Sequence, residues 1–395
     1  MKALALILVF ISTIAIVLAI DQYLFCPVYI FNPPIEFSGD SLYNPYSGIE
    51  KSHWVKCNFH AHSHCWDGIT NGKGSPSDVT SVYRKLHYGV YEVSNYESIL
   101  NPARPGKEFI HAYEHGYNLG KVHQLVLGSS GVCFKDYFFP QTTSNKQYIL
   151  NLLKDTRKTL VILNHPQLRT AYHKDDVQLL SSIRCMEVLN PSRISSALWD
   201  DALSAGKPVF VVGDDDVHNV FDSSLVGRMF TMLNLPNISE YNILSALENG
   251  KSYAESLDRH TVLKERRGED IKLPALDNFS LNGNVLKIRF NERAKNITVF
   301  GEDGKVLKEV TNSDTLSYPI AKNIPYVRET ATFDSANQIF LNPVFRFKKQ
   351  PFTKSGLYIN YHETFYFRLV GIMMLLMWFS GPVSLLLFKK KLNHS

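Results

Sequence analysis

With 395 residues, 45% hydrophobic and 20% charged, the chain has the composition of ordinary folded protein and the length for one large α/β domain plus a smaller one. A formal net charge of +5 is too small at this size to imply nucleic acid as a partner, and part of it sits in Lys389-Lys390-Lys391. The sequence has no evident repeats or low-complexity tracts.

Residues 3–20 are apolar apart from Ser12 and Thr13, and they follow Lys2. This run is long for a signal-peptide core and near the length of a bilayer span. The stretch 1–22 therefore reads as an N-terminal transmembrane helix or signal anchor, with cleavage left open by the small Ala19. Cys26 follows Tyr23-Leu24-Phe25, which is too bulky for a lipoprotein cleavage site. At the other end, residues 369–388 form an apolar run of about 20 residues, roughly 30 Å as a helix, and a second span is expected at 366–388. Arg368 precedes the run, but the triple lysine after it outweighs that charge. The positive-inside rule then puts both termini in the cytoplasm and everything between the spans on the extracytoplasmic side of a cell membrane, periplasmic or extracellular. Cys26, Cys57, Cys65, Cys133 and Cys185 make an odd count with no CxxC, so a structural zinc site is not expected. A Cys57–Cys65 disulfide stays open.

Between the ends, residues 50–266 read as one α/β domain, because from about 55 to 228 short apolar runs alternate with amphipathic stretches. Residues 255–270 are charged and read as a connection. Beyond Lys272 the pattern changes. Leu286, Ile288 and Phe290 alternate with Lys287 and Arg289, and Asp303-Gly304 separates two apolar runs as a hairpin turn would. Residues 270–350 are thus expected to form a small all-β, sandwich-like domain, with residues 350–362 as a stalk.

Apolar runs in the first domain end in polar residues of a particular kind. Val55-Lys56-Cys57-Asn58-Phe59 leads to His60-Ala61-His62. Gly89 to Val93 leads to Ser94-Asn95-Tyr96, and Phe109 to Tyr113 leads to Glu114. His123 opens the run beginning at Gln124. Leu160-Val161-Ile162-Leu163 leads to Asn164-His165-Pro166, and Pro208 to Val212 leads to Gly213-Asp214-Asp215-Asp216-Val217-His218. Strand ends converge on one face of a parallel barrel, and chemistry gathers there. In His60-Ala61-His62 the two imidazoles share a side, since strand side chains alternate, and Asp216 and His218 have the same spacing. Burying so many imidazoles and carboxylates together is costly without a cation. Zinc, manganese or iron suits these ligands. Two or three such ions would polarise a phosphoryl oxygen and acidify a bound water.

Residues 55–260 resemble the PHP (polymerase and histidinol phosphatase) family of metal-dependent phosphoesterases, of the exported, membrane-anchored type. The likeness lies in His60-Ala61-His62-Ser63 with Asp67-Gly68, Glu114, His123, His165-Pro166 and Asp216-Val217-His218. It extends to the stretches at 199–207 and 247–253 and to a β appendage downstream. It implies a distorted seven-stranded β/α barrel with up to three metals at the strand ends. One metal would take His60, His62, Glu114 and Asp216, and a second would share Glu114 and add His123 and His165. The third would use Asp67 and His218 together with a histidine from a Thr-Asp-His motif. This chain departs there, with Asn95 and Tyr96 in place of the aspartate and histidine. A neutral tyrosine is a poor ligand, so two metals are expected, with the third site weakened or absent.

Several positions have a second reading. His123 could be a core histidine, Asp67-Gly68 a turn, and His218 an orienting residue. Asp215 reads as a backbone partner beside the ligand Asp216, and His64 and His115 as surface or rim residues. Arg193 could meet a substrate phosphate or be solvated, and Tyr96 is placed in the substrate site. The expected activity is hydrolysis of a phosphoester outside the cytoplasm by a metal-activated hydroxide, with Asp67 or His218 moving the proton. The substrate would be a small molecule or a lipid headgroup. The alternatives are hydrolysis of a carbon–nitrogen or carboxylic ester bond, and a degenerate module that binds without catalysis.

Overall fold

The computed structural model describes residues 2–100, 110–154, 159–269, 271–352 and 356–392. Side chains from 382 onward, the triple lysine included, and Phe109 lie outside the described residues. The fold is mixed α/β, with an apolar helix at each end.

The first helix, Lys2–Ile20, continues as a wider π-helical turn over Asp21–Phe25, and the last helix is Tyr361–Leu392. Segments Ala3–Phe25 and Tyr361–Gly381 are long and apolar enough to cross a membrane, and only 6% and 11% of their most apolar windows are covered by the rest of the chain. A core helix would be mostly covered, so protein packing does not account for these two faces. The helices touch at two levels. Trp378 donates from Nε1 to Thr13 Oγ1 at 3.1 Å, and Arg368 donates from Nε to the Phe25 carbonyl at 3.2 Å. Just outside them, Tyr29–Phe31 pairs antiparallel with Leu357–Ile359, so the expected stalk is half of a two-stranded clasp.

Seven strands surround the site, and six of them carry the polar ends singled out in the sequence. Five form one sheet in the order Ala112–His115, Gln124–Leu127, Leu160–Leu163, Cys185–Leu189, Phe210–Gly213. The first two junctions are antiparallel and the last two parallel. The other two, Trp54–Asn58 and Val90–Tyr91, are parallel neighbours at the end of a separate eleven-stranded sheet. Among the described residues, the isolated bridges Ala61–Val217, Lys73–Asn219 and Tyr96–Glu114 join the two sets. The expected closed seven-stranded barrel is therefore not formed as one ladder. At the Ala61–Val217 seam the chain has already left strand geometry to present a ligand: Asp216 has φ 46°, a left-handed conformation that cannot continue a ladder.

The downstream β region also differs from the expected separate sandwich. Met229–Asn234 pairs with Trp54–Asn58 on one side and Ser252–Ser256 on the other, and Ser252–Ser256 pairs in turn with Gln338–Leu341. Tyr326–Thr332, Val285–Phe300 and Leu276–Asn282 follow in the same sheet. The expected connection at 255–270 begins in the strand Ser252–Ser256 and then forms the helix Arg259–Arg266. The hairpin at Asp303-Gly304 is present, but its strands, Val285–Phe300 and Val306–Pro319, are long. Their inward faces, with Leu286, Ile288, Phe290, Ile297 and Val299, build a second core beside the one under the five-stranded sheet. All five cysteines are among the described residues and all are free, so Cys57 and Cys65 are not bridged.

Candidate metal centre

His60 enters the centre from the strand Trp54–Asn58 and is fully buried. Its Nδ1 lies 3.0 Å from Glu187 Oε1. That contact fixes the ring and leaves Nε2 facing inward, the usual arrangement for a ligating imidazole. Around Nε2 stand His62 Nε2 at 3.2 Å, Asp216 Oδ1 at 3.2 Å and Glu114 Oε1 at 3.3 Å. Glu114 Oε1 is also 2.9 Å from His123 Nδ1 and 3.2 Å from His165 Nε2, while Glu114 Oε2 is 3.1 Å from His62 Nε2. Asp216 Oδ1 is 3.4 Å from His62 Nε2 and 3.3 Å from His218 Nε2. Three overlapping ligand groups result: His60, His62 and Glu114; Glu114, His123 and His165; and His62, Asp216 and His218.

These residues fit divalent cations. Glu114 Oε2 and Asp216 Oδ1 are buried and make no hydrogen bond of proper geometry, although imidazole nitrogens lie 3.1–3.4 Å from them. Lone pairs thus converge on shared space. Ligands about 2.0–2.1 Å from a tetrahedral zinc stand about 3.3–3.4 Å from one another, close to the spacing here. Without a cation, protons must compensate the buried carboxylates. Burial disfavours the charged ring of His60, but Asp216, Glu114 and Glu187 outweigh it and hold its pKa well above the ordinary value. Burial likewise opposes ionisation of Glu114 and Asp216, and the imidazoles, His60 foremost, overcome it and drive both carboxyls well below their usual range. For His123 burial prevails over Glu114, and its pKa is lowered.

The backbone is bent to make the centre. His165 has φ 26° and Asp216 φ 46°, a region costly for residues with a Cβ. Gly116 has φ 128°, and a Cβ there would lie 2.6 Å from His123 Cδ2. Glycine is what lets the tight connection bring His123 beside Glu114.

Of the residues singled out in the sequence, His60, His62, Glu114, His123, His165, Asp216 and His218 come together. His218 stands in the third group with His62 and Asp216, its ring stacked on His62 at 4.2 Å and 5°. Asp67 does not join them. It is exposed in the short turn Trp66–Gly68 at φ 50°, so its turn reading applies. Arg193 is exposed in the loop after Cys185–Leu189. Tyr96 stacks on His62 at 4.6 Å and meets His123 edge-on at 5.5 Å. Burial and the charges of Glu114 and Asp216 raise its phenol pKa far above the ordinary value, so it stays neutral. Asp215 accepts from the backbone N–H groups of Gly227, Arg228 and Met229 at 2.6–3.0 Å, as a backbone partner should. His64 is exposed, but His115 is buried, with Nδ1 2.8 Å from Gln124 Oε1.

Other residues at the centre were not singled out. Glu187 holds His60 and accepts from the His165 N–H at 2.6 Å. Its signal was present: it is the sole charge in the buried strand Cys185–Leu189. Asn164 donates to Glu114 Oε1 at 3.0 Å, and Asn190 to Asp216 Oδ2 at 3.1 Å. Lys121 places Nζ 5.8 Å from the Tyr96 ring centroid. A groove of about 750 Å³ between the helix Ser196–Ser204 and the β region, lined by Lys174, Asp200 and Arg328 among others, contains none of the ligand residues.

No family model matches the sequence, and no curated protein matches it. Two solved structures resemble the fold. One is a two-domain protein containing a predicted PHP-like metal-dependent phosphoesterase from Bacteroides vulgatus, with a TM-score of 0.40 and 14% identity over 83% of this chain and 98% of that one. The other is PsfC from Pseudomonas syringae, with a TM-score of 0.39 and 10% identity over 54% of this chain and 97% of that one.

Proposed function

We propose that the chain is a membrane-anchored, metal-dependent phosphoesterase. The observation that carries this reading is the position of Glu114, whose one carboxylate meets His60 and His62 on one side and His123 and His165 on the other. A carboxylate shared between two imidazole groups suits a pair of adjacent divalent cations, here zinc, manganese or iron. Bound there, such ions supply Lewis acidity toward a phosphoryl oxygen and acidify a water. Asp216 with His62 and His218 is the candidate third site.

The chain's own groups do the rest. Glu187 fixes the His60 ring and the His165 backbone. The side chain of His218 is 29% exposed, which suits it to exchange protons with solvent. Tyr96 keeps its proton beside Glu114. Lys121 brings a positive charge to the mouth, where phosphate oxygens gather charge in the transition state. The two terminal helices act as spans, with both termini cytoplasmic and the metal centre outside.

The test uses the full chain purified in detergent, loaded in turn with manganese, iron and zinc and screened on phosphomonoesters, nucleotides and phosphodiesters. Metal-dependent turnover abolished by Glu114→Gln is expected. No turnover of any phosphoester by a fully loaded protein rejects the reading, and hydrolysis of amides or carboxylic esters instead would replace it.

A further inference from the structure

The connection that carries the chain from Glu114 to His123 is bonded, through one other loop, to the end of the first apolar helix. Residues 116–122 form that connection, and residues 131–140 fold against it. Leu119 N–H donates to the Phe138 carbonyl at 3.1 Å. Tyr117 N–H and Asn118 Nδ2 both donate to Asp136 Oδ2 at 2.9 Å, and Tyr117 Oη donates to the Phe134 carbonyl at 3.3 Å. The second loop then grips Asp21–Phe25. Phe139 N–H donates to Gln22 Oε1 at 2.9 Å, Gln22 Nε2 returns a bond to the Pro140 carbonyl at 2.9 Å, and Tyr23 Oη donates to the same carbonyl at 2.8 Å. Lys135 pairs with Asp21. Because Arg368 bonds to the Phe25 carbonyl, the apolar run of the second helix, which follows Arg368, begins at the same level.

The outward side chains of these loops are the wrong kind for water. Tyr117 is 52% exposed, Leu119 56%, Phe134 59% and Phe138 38%. Four large apolar groups on two mutually bonded loops call for a covering surface. Continuity says which one, since the loops are fastened to the point where the first apolar helix ends and the apolar run of the second begins. Aromatic and aliphatic side chains at that depth suit the boundary between headgroups and acyl chains. Lys121, on the same connection, sets its ammonium over Tyr96, whose ring stacks on the ligand His62.

We propose that loops 116–122 and 131–140 lie in the headgroup layer of the bilayer that holds the two helices, and that the metal centre takes a phosphoester carried on a lipid, with Lys121 meeting its phosphate. The substrate half of this inference rests on the phosphoesterase reading.

The full chain, metal-loaded and reconstituted into phosphatidylcholine vesicles with a minor anionic lipid, tests both halves. The tryptophan introduced by Leu119→Trp should be quenched by bromine-labelled acyl chains, beyond the quenching of the native chain with its own Trp378. The combined variant Leu119→Ser, Phe134→Ser and Phe138→Ser changes outward apolar side chains and none of the bonds between the loops, and its metal content verifies the fold. It should lose turnover of vesicle-borne phospholipid on the order of tenfold or more and keep its turnover of a soluble nitrophenyl phosphoester. No added quenching overturns the inference, as does an equal loss on both substrates. Native turnover of soluble phosphoesters but of no lipid overturns the lipid substrate and leaves the phosphoesterase reading standing. Quenching with no phosphoester hydrolysed at all removes that reading and the lipid substrate together.

Discussion

Glu187 and His60 are joined by a 3.0 Å contact between Oε1 and Nδ1, and this pairing fixes which imidazole nitrogen faces the metal centre. Because Oε2 of the same carboxylate also accepts from the His165 N–H, one side chain orients ligands of two groups. Glu187→Ala is expected to weaken metal affinity about 10–100-fold without removing a ligand. Competition with a graded series of chelators measures this. An affinity equal to that of the native protein would show that Glu187 merely fills space.

Tyr96 stacks on His62 but keeps its proton. Tyr96→Phe should therefore leave the number of bound ions unchanged while altering kcat through the lost hydroxyl beside the ligands. Elemental analysis decides the point: loss of one ion per chain would make Tyr96 a ligand.

Arg328 grips Asp200 with two bonds of 2.5 Å, from Nε and from one terminal nitrogen. It lies over the rings of Trp199 and Phe300, with centroids at 4.9 Å and 4.3 Å. The pair ties the helix Ser196–Ser204 to the strand Tyr326–Thr332 and is nearly buried. Removing one partner strands the other charge, so Arg328→Met should cost about 3–5 kcal/mol. The double variant with Asp200→Leu should recover much of that loss. Denaturant titration reads both, and equal losses in the single and double variants would contradict the account.

Glu329 shares a face with Val327 and Ala331 in the core of the β region, and neither carboxylate oxygen makes a hydrogen bond. Burial, opposed only in part by Arg328, pushes its pKa from 4.5 up to about 8. Below pH 4.5 the group is neutral whether the chain is folded or unfolded. Between there and about 8 only the unfolded chain ionises, so the folded state loses stability as pH rises, and above that the loss is constant. Each unit is worth about 1.4 kcal/mol, which puts the total at a few kcal/mol. Glu329→Gln should raise Tm at pH 8–9 and change it little at pH 4. A gain independent of pH would rule out ionisation as the cause.

The centre was legible in the sequence wherever a ligand follows directly on an apolar strand. His60, His62, Glu114, His165 and Asp216 all sit at such ends, because alternation and strand termination are local properties. Asp67 was misplaced for the opposite reason: its backbone turns left-handed immediately after the first motif and carries the carboxylate to the surface. Spacing along the chain does not record that turn. Glu187 and Lys121 act through partners distant in sequence, so nothing in their neighbours marks them, except that Glu187 is a charge where a buried strand should have none. The continuous eleven-stranded sheet was hidden for the same reason. The pairing of Met229–Asn234 with Trp54–Asn58 is a long-range choice that the local change of pattern near Lys272 disguised as a domain boundary.

The clasp between Tyr29–Phe31 and Leu357–Ile359 joins segments from opposite ends of the sequence. A catalytic body on a single slack tether would tumble, and its mouth would meet the membrane only in a small fraction of orientations. On the proposed reading, two stems locked together at their necks would act as a hinge with a narrow sweep, which would raise the effective concentration of that face at the bilayer. Orientation would then be set by the way the chain closes on itself, before any substrate is met.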